Sequence, residues 1–496
     1  MEKLLKIAKY GIFIFVFSLF SCNDEDTIID TKPVGAFSYS IQLSNNNTEV
    51  VTTFTDLSFD QNGNIVSWLW NFGDGTTSTE RSPIHTYPLG NFSASLTVTD
   101  NNGNVNVNTF SQVLDFTVIV EPTRLWAFNL PGKIEYSSPA VSDENTVFIG
   151  ITEAVRTNNG PNFFAVKNGT KVWETLLPNV ASSDQIQSSA SIASDGSIYM
   201  SSLFERFIYK INSGNGTIES RFKTNSRMRY SAPTFALDGS VIIANYNNND
   251  KGVRSLSTDL STQNWIFKTG VDFNATATIG ADGTIYIGAI NGFLYAINPD
   301  GTEKWSSNFG TWTATTPAIG PDGTIYFAGE GNKQDPTFKG ILTAYNPANG
   351  NIKWSVGLTE KVNHGGPAVA ADGTIYLGGY EKRMVAYNPT DGSEKWSYPV
   401  SSAIEVVPAI DNDGNIYFGD TGGSFHVVSP IGQKKWKVAK LGDQINTSAA
   451  IGKDGVIYVG ANTAGVGKLF ALKTNATGLQ TGGWSMFAKN TKHQGR

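Results

Sequence analysis

The chain has 496 residues, enough for two or three domains, yet only 16% of them are charged while 40% are hydrophobic and 51 are glycine. A net charge of -6 without basic runs argues against nucleic acid and against electrostatic binding to anionic lipid. Asn, Ser, Thr and Gly fill the gaps between short apolar runs, and no amphipathic helix is legible after the first two dozen residues. That is the composition of an all-β secreted protein.

Residues 1–21 have a charged start and an apolar core at 11–20, too short to span a bilayer as a stable helix, so they read as a secretory signal. Its removal takes away Lys3, Lys6, Lys9 and Glu2, which moves the net charge from -6 to -8. Leu19-Phe20-Ser21-Cys22 resembles the lipobox of bacterial lipoproteins, with Phe20 bulkier than usual. Cys22 is the only cysteine, so it has no partner for a disulfide or a CxxC site. Its place after the apolar core marks it for lipidation, each buried CH₂ contributing about 0.8 kcal/mol to an anchor; the plainer alternative is a free thiol. Asn23-Asp24-Glu25-Asp26 resembles the export signal that sends some Gram-negative lipoproteins to the outer face of the outer membrane. Residues 22–33 lack periodicity and read as an acidic flexible tether.

Residues 34–118 alternate as short strands, at 36–41, 50–56, 65–72, 92–100 and 105–116. Trp68 and Trp70 share one strand face and Leu69 takes the other. Phe72-Gly73-Asp74-Gly75 turns the chain, with the Asp74 carboxylate accepting from the turn's own amides; cation ligation is the alternative role for it. His85 packs or bonds near the second hairpin. Together with Ser82-Pro83-Ile84-His85-Thr86-Tyr87 and Leu96-Thr97-Val98-Thr99-Asp100, these residues resemble the PKD domain. The resemblance implies an immunoglobulin-like sandwich acting as a spacer or weak binder.

From residue 124 to 487 one unit recurs. A turn at Glu144-Asn145, Asp195, Asp238, Asp282, Asp322, Asp372, Asp413 and Asp454 gives eight copies, 51, 43, 44, 40, 50, 41 and 41 residues apart. Such periods with several short strands signal propeller blades. An aromatic slot follows the turn, at Phe148, Tyr199, Tyr286, Tyr326, Tyr376, Tyr417 and Tyr458, with Ile242 the exception. A terminal slot holds Trp173, Phe222, Trp265, Trp305, Trp354, Trp396, Trp436 and Trp484. Each ring buries about 150–250 Å², at most about 4–6 kcal/mol of stabilisation, and reads as structural cement between blades. Trp126 is a ninth terminal candidate. Either its strand completes the last blade beside residues 469–472, or Trp484 closes the ring. The strand ends at 296–305, 344–354 and 386–396, with the recurring Pro-Ala-Ile/Val, resemble the quinoprotein-like (PQQ-type) eight-bladed propeller, including the outer-membrane assembly factor of that fold. The fold class is therefore all-β, a small PKD sandwich followed by an eight-bladed propeller, with 488–496 left as a basic tail in which His493 is exposed.

Eight residues before each turn, where the innermost strand begins, lie Tyr136, Gln187, Tyr230, Asn274, Ala314, His364, Glu405 and Asn446, with Phe273 and Trp312 close to the same level. Rings and amides beside a single carboxylate suit sugars, because a ring face covers C–H groups while amides pair hydroxyls; these residues are equally polar if the mouth is simply wet. His364 and Glu405 could form an acid/base pair, but without a nucleophile or metal it is weak evidence for an enzyme. His426 is expected to pack inside a blade. Two long loops, 152–162 and 329–340, are candidate rims. A PQQ-type fold raises the question of a quinone, but the sole cysteine sits at the anchor and no acidic constellation recurs, so no cofactor and no metal site is expected. The reading is a non-catalytic cell-surface lipoprotein that binds a polysaccharide or oligosaccharide. The alternatives are a protein–protein scaffold in an outer-envelope assembly and, third, a quinone-dependent or carbohydrate-active enzyme.

Overall fold

The computed structural model describes residues 31–496 apart from 44–48, 89, 110–113, 116–121, 153–160, 178–185, 248–249, 309 and 332–336. The expected signal, Cys22, most of the tether and the middles of both long loops lie outside the described residues. The chain divides into two units, Met1–Val120 and Glu121–Arg496.

The first unit is a sandwich. One sheet pairs Phe37–Leu43 with Glu49–Asp56 and Ile84–Pro88; the other runs Thr77–Ser78, Ile65–Asn71, Ser95–Asp100, Val105–Thr109. Alternation decides its core: Trp70, Phe54, Tyr87, Leu96 and Val98 are buried, while Leu69 on the opposite strand face is exposed. Asp74 serves its own turn, accepting from the Thr76 amide at 3.0 Å, and bonds His85 Nε2 at 2.7 Å. The His85 ring stacks on Phe72 at 4.0 Å.

The second unit is a ring of eight four-stranded antiparallel sheets. Blade 4 is typical, with strands Thr278–Ile279, Ile285–Gly288, Phe293–Ile297 and Glu303–Asn308. Its second strand is buried along its whole length because neighbouring blades cover both faces. Its turn is closed by Asp282, whose Oδ1 accepts the Thr284 amide at 3.0 Å, with Gly283 at φ 82°. A bulge between Ala296 and Ile297 in the pairing with the fourth strand recurs in other blades just before the terminal aromatic, and twists that ring toward the next blade.

There the tryptophans act as staples. The Nε1 of Trp173, Trp265, Trp305, Trp354 and Trp396 donates to the carbonyl of Ser213, Pro299, Pro347, Pro389 and Pro430 respectively, each in the outer hairpin of the following blade, at 2.8–2.9 Å. A glycine of that hairpin lies against the indole: a Cβ on Gly350, at φ 71°, would come within 2.5 Å of Trp305. Where blade 2 has Phe222 instead, the Tyr199 hydroxyl donates to the Thr258 carbonyl of blade 3's hairpin. Blade 8 is completed by the N-terminal strand Thr123–Asn129, which pairs with Val466–Lys473 (Ala127 opposite Phe470). Trp126 thereby lies against Gly169 of blade 1 and takes the terminal slot. The ring closes by joining its two ends, and Trp484 is released from that role.

Trp484 belongs instead to a segment that closes one end of the ring. Carbonyls of Ser485, Trp484, Thr491, Lys492, Gln494 and Gly495 accept the amides of Ile410, Val369, Val141, Ile192, Phe235 and Ile279, in blades 7, 6, 1, 2, 3 and 4, at 2.7–3.3 Å. Those amides lie on innermost strands, whose free edge would otherwise leave polar backbone unpaired. The expectation of a solvated tail is corrected accordingly: His493 is fully buried, its Nδ1 2.9 Å from the Ala190 carbonyl. His426 is buried as expected, 2.9 Å from Asp420.

Two measurements test this architecture. Trp305→Ala should lower unfolding free energy by about 3–5 kcal/mol, and Trp305→Phe, which loses the bond to Pro347 and part of the buried ring, by a smaller amount of about 1–3 kcal/mol, read from urea midpoints. Burial holds the His493 imidazole down to about 4 from 6.5, so the fold keeps it neutral. Its contribution is complete above pH 6.5 and is lost as pH falls toward 4, about 3 kcal/mol in all. The stability profile of His493→Gln should therefore be flatter than that of the parent across that window.

Candidate functional site

With the turn-side end of the innermost strands covered by the C-terminal segment, the other end carries the candidate residues. Four of the eight innermost strands are reached through a short stretch whose backbone is tied to a hydroxyl of the next blade. Ser138 N donates to Ser189 Oγ (2.8 Å), Ala232 N to Thr276 Oγ1 (3.0 Å), Val407 N to Ser448 Oγ (3.0 Å) and Ser448 N to Ser138 Oγ (2.9 Å). These hydroxyls sit two residues after the candidate slot, so they fix the level at which the slot side chains leave the wall.

Tyr136 and Tyr230 leave it in the left-handed region, at φ 60° and 58°. That conformation costs a bulky residue about 1–2 kcal/mol, and something must hold it. For Tyr230 the holder is Thr276 of the next blade, whose hydroxyl donates to the Tyr230 carbonyl at 3.1 Å. The bend aims both rings inward. Tyr136 lies 4.8 Å from Tyr230 and 4.5 Å from His364, stacked at 30°, and Tyr230 lies 4.8 Å from His364. In a ring of eight, blades 1, 3 and 6 surround the axis, so this cluster crosses it. Trp312 adds an edge contact to His364 at 6.1 Å.

Glu405 is buried beneath the cluster, 3.9 Å from His364 Nδ1 and accepting from the Tyr380 hydroxyl. Burial alone would raise its carboxyl; the bond from the Tyr380 hydroxyl and the nearby His364 and Lys361 side chains hold it below the usual range. Burial likewise pushes the Tyr136 phenol above its ordinary range and lifts Tyr230 to about 12 against the charge of Arg229. Both stay protonated donors at neutral pH.

Gln187 is buried between charges, its Oε1 accepting from Arg229 Nε at 2.9 Å and its Nε2 3.3 Å from Glu135. Asn446 is buried and Asn274 half-buried, each with Oδ1 lacking a partner among the described residues. Phe273 departs from expectation: it is fully buried against Tyr295 at 5.6 Å, inside the packing between blades 3 and 4, because adjacent residues face opposite ways and Asn274 took the outward one. Sequence reasoning missed Tyr380, which arrives from a loop, and Glu135 and Arg229. The last two replace apolar residues found one place before the slot in other blades (Ile186, Ile404, Ile445), a break in the repeat that could have flagged them.

Comparison with known proteins accords with this anatomy. The chain carries a PKD domain at residues 39–114, and residues 338–480 match the family described as outer membrane protein assembly factor BamB. The chain is 33% identical over 128 residues to Collagenase ColA of Bacillus cereus, covering 21% of this chain and 13% of that protein. It is 52% identical over 56 residues to a microbial collagenase of Vibrio alginolyticus, covering 11% and 7%. The chain thus spans 13% or less of these curated relatives, and the shared part is the PKD region. Among solved structures, BamB from Moraxella catarrhalis aligns with a TM-score of 0.53 at 15% identity, over 71% of this chain and all of that one. The C-terminal WD40 domain of Sif2 aligns at 0.55 and 13%, over 71% and 99%. The fold is a PKD sandwich followed by a BamB-like β-propeller.

The Glu405 environment is directly testable. Tyr380→Phe removes one donor and should raise the carboxyl's titration midpoint, followed by NMR of ¹³C-labelled glutamate; an unchanged midpoint would mean that the hydroxyl does not hold it.

Proposed function

We propose that this is a non-catalytic binding protein of the cell envelope, which holds a glycan on the face bearing Tyr136, Tyr230, His364 and Trp312. The observation that carries the reading is the pair of left-handed tyrosines, one of them clamped by a hydroxyl of the next blade. Backbone strain maintained at a polar–aromatic surface is a mark of function. Ring faces there would cover sugar C–H groups, and the unpartnered carboxamide oxygens of Asn274 and Asn446 would pair hydroxyls. In this reading the PKD domain is a spacer, Cys22 carries the lipid anchor, and the protein sits at the outer membrane, facing outward.

No catalytic role is assigned. The phenols are held protonated, and Glu405 faces a histidine without a nucleophile. The residues also do not fit the quinone that PQQ-type propellers suggest. Three mutually touching rings occupy the axis where a flat cofactor would lie, and no trio of His, Cys, Asp or Glu among the described residues converges as metal ligands.

A second reading, a protein–protein scaffold in an envelope assembly, is favoured by the match of residues 338–480 to the BamB family. Isothermal titration against a glycan panel separates the two. Glycan binding is expected, weakened about tenfold or more in Trp312→Ala and Tyr136→Ala. Absence of heat with every glycan, together with co-purification of an envelope protein, would favour the scaffold.

A further inference from the structure

Although acidic residues outnumber basic ones in the chain by 43 to 37, residues 204–230 hold six cations (Arg206, Lys210, Arg221, Lys223, Arg227 and Arg229) against Glu205 and Glu219. Lys210 is spent near the turn side, 3.7 Å from Asp195 and 4.0 Å from Glu219. Three arginines lie at the other end. Blade 2's second strand, Ile198–Ser201, and its fourth, Ile218–Lys223, both finish on the side where Tyr230 begins the approach to blade 3. The loops leaving them are joined there. Thr224 N donates to the Arg206 carbonyl at 2.9 Å, Arg206 Nη1 to the Asn225 carbonyl at 3.2 Å, and Arg227 N to the Tyr246 carbonyl at 3.0 Å.

Two guanidinium groups sit over aromatic rings. The Arg227 Cζ lies 4.9 Å from the Phe204 ring centre and the Arg229 Cζ 4.6 Å from that of Tyr230, a member of the axial cluster. Stacking fixes a guanidinium plane while leaving its N–H edge free to pair a planar or tetrahedral oxyanion. Arg229 gives Nε to Gln187, whose other side meets Glu135. Among the described residues no carboxylate lies within 4.0 Å of Arg206, Arg227 or Arg229. Six arginine and lysine side chains over 27 residues, three of them oriented at one rim, are what a surface of otherwise negative charge needs if its ligand is itself an anion.

Resting on the glycan reading above, we propose that the rim formed by blades 2 and 3 recognises the acid groups of its sugar, so that the ligand is an acidic polysaccharide bearing carboxylate or sulfate. Arg206, Arg227 and Arg229 pair those groups, while Tyr136 and Tyr230 cover the apolar face of the adjoining sugar.

The test is titration of the full chain with polygalacturonate, dextran sulfate, neutral dextran and poly-glutamate at about 0.05 M and about 0.5 M salt. One of the two acidic polysaccharides should bind, which tells carboxylate from sulfate, with affinity falling about tenfold or more at the higher salt. Arg227→Ala/Arg229→Ala should lose about tenfold or more, Arg227→Lys/Arg229→Lys less, and the turn-side variant Lys210→Ala nothing. Melting curves establish that each variant is folded, and the lysine pair keeps the test informative should the alanine pair unfold. Equal affinity for dextran, or indifference to the arginine variants, overturns acid recognition and leaves glycan binding standing. Preference for poly-glutamate overturns the polysaccharide as ligand. No binding to any polysaccharide overturns both readings.

Discussion

The propeller depends on one contact repeated at five of its eight blade junctions: an indole N–H donating to a carbonyl of the neighbouring blade's outer hairpin, with a glycine pressed against the ring. A four-stranded blade has two apolar faces and cannot cover either alone, so blades must stack. Apolar burial supplies the driving force but no register, since it is indifferent to sliding. Where it forms, the Trp–carbonyl bond is directional and fixes how far one blade is rotated on the last. Blade 2 illustrates the constraint. Its terminal residue is Phe222, which has no donor, and the bond to blade 3 is made by the Tyr199 hydroxyl from a different strand. The bond is retained although its donor changes.

A ring built this way still has two exposed ends, and the chain treats them differently. At the turn side its own last residues cross from blades 7 and 6 to blades 1 through 4, pairing the amides of the innermost strands. At the other side no such segment lies among the described residues, and side chains meet over the axis instead. Their meeting is made possible by two tyrosines whose backbone is bent against its preference, so stability gained in the staples is partly offset there. The arginines of blades 2 and 3 continue that surface outward, and one of them stacks directly on a member of the axial cluster.

The repeat, the turns, the terminal tryptophans and the sandwich were legible in the residues, because each rests on local chemistry: alternation, Asp-Gly turns at positive φ and a fixed period. The slot residues were also legible as a set, since the period that locates the turns locates anything at a constant offset from them. Offsets do not reveal facing, and so Phe273 was grouped with the mouth although it packs between blades. Nor could they reveal Tyr380, which reaches Glu405 from a loop of another strand.

Sequence by itself therefore determined that this protein is a PKD sandwich and eight aromatic-stapled blades with polar and aromatic side chains at one level. Only tertiary structure decided which strand closes the ring, what the last residues do and which slot residues touch. The reason is physical. Trp126 and Trp484 are equivalent as residues, and the choice between them is made by pairing across more than three hundred residues of chain. Likewise the burial of His493 and the convergence of Tyr136, Tyr230 and His364 belong to no local segment; they exist only once the ring has closed around a common axis.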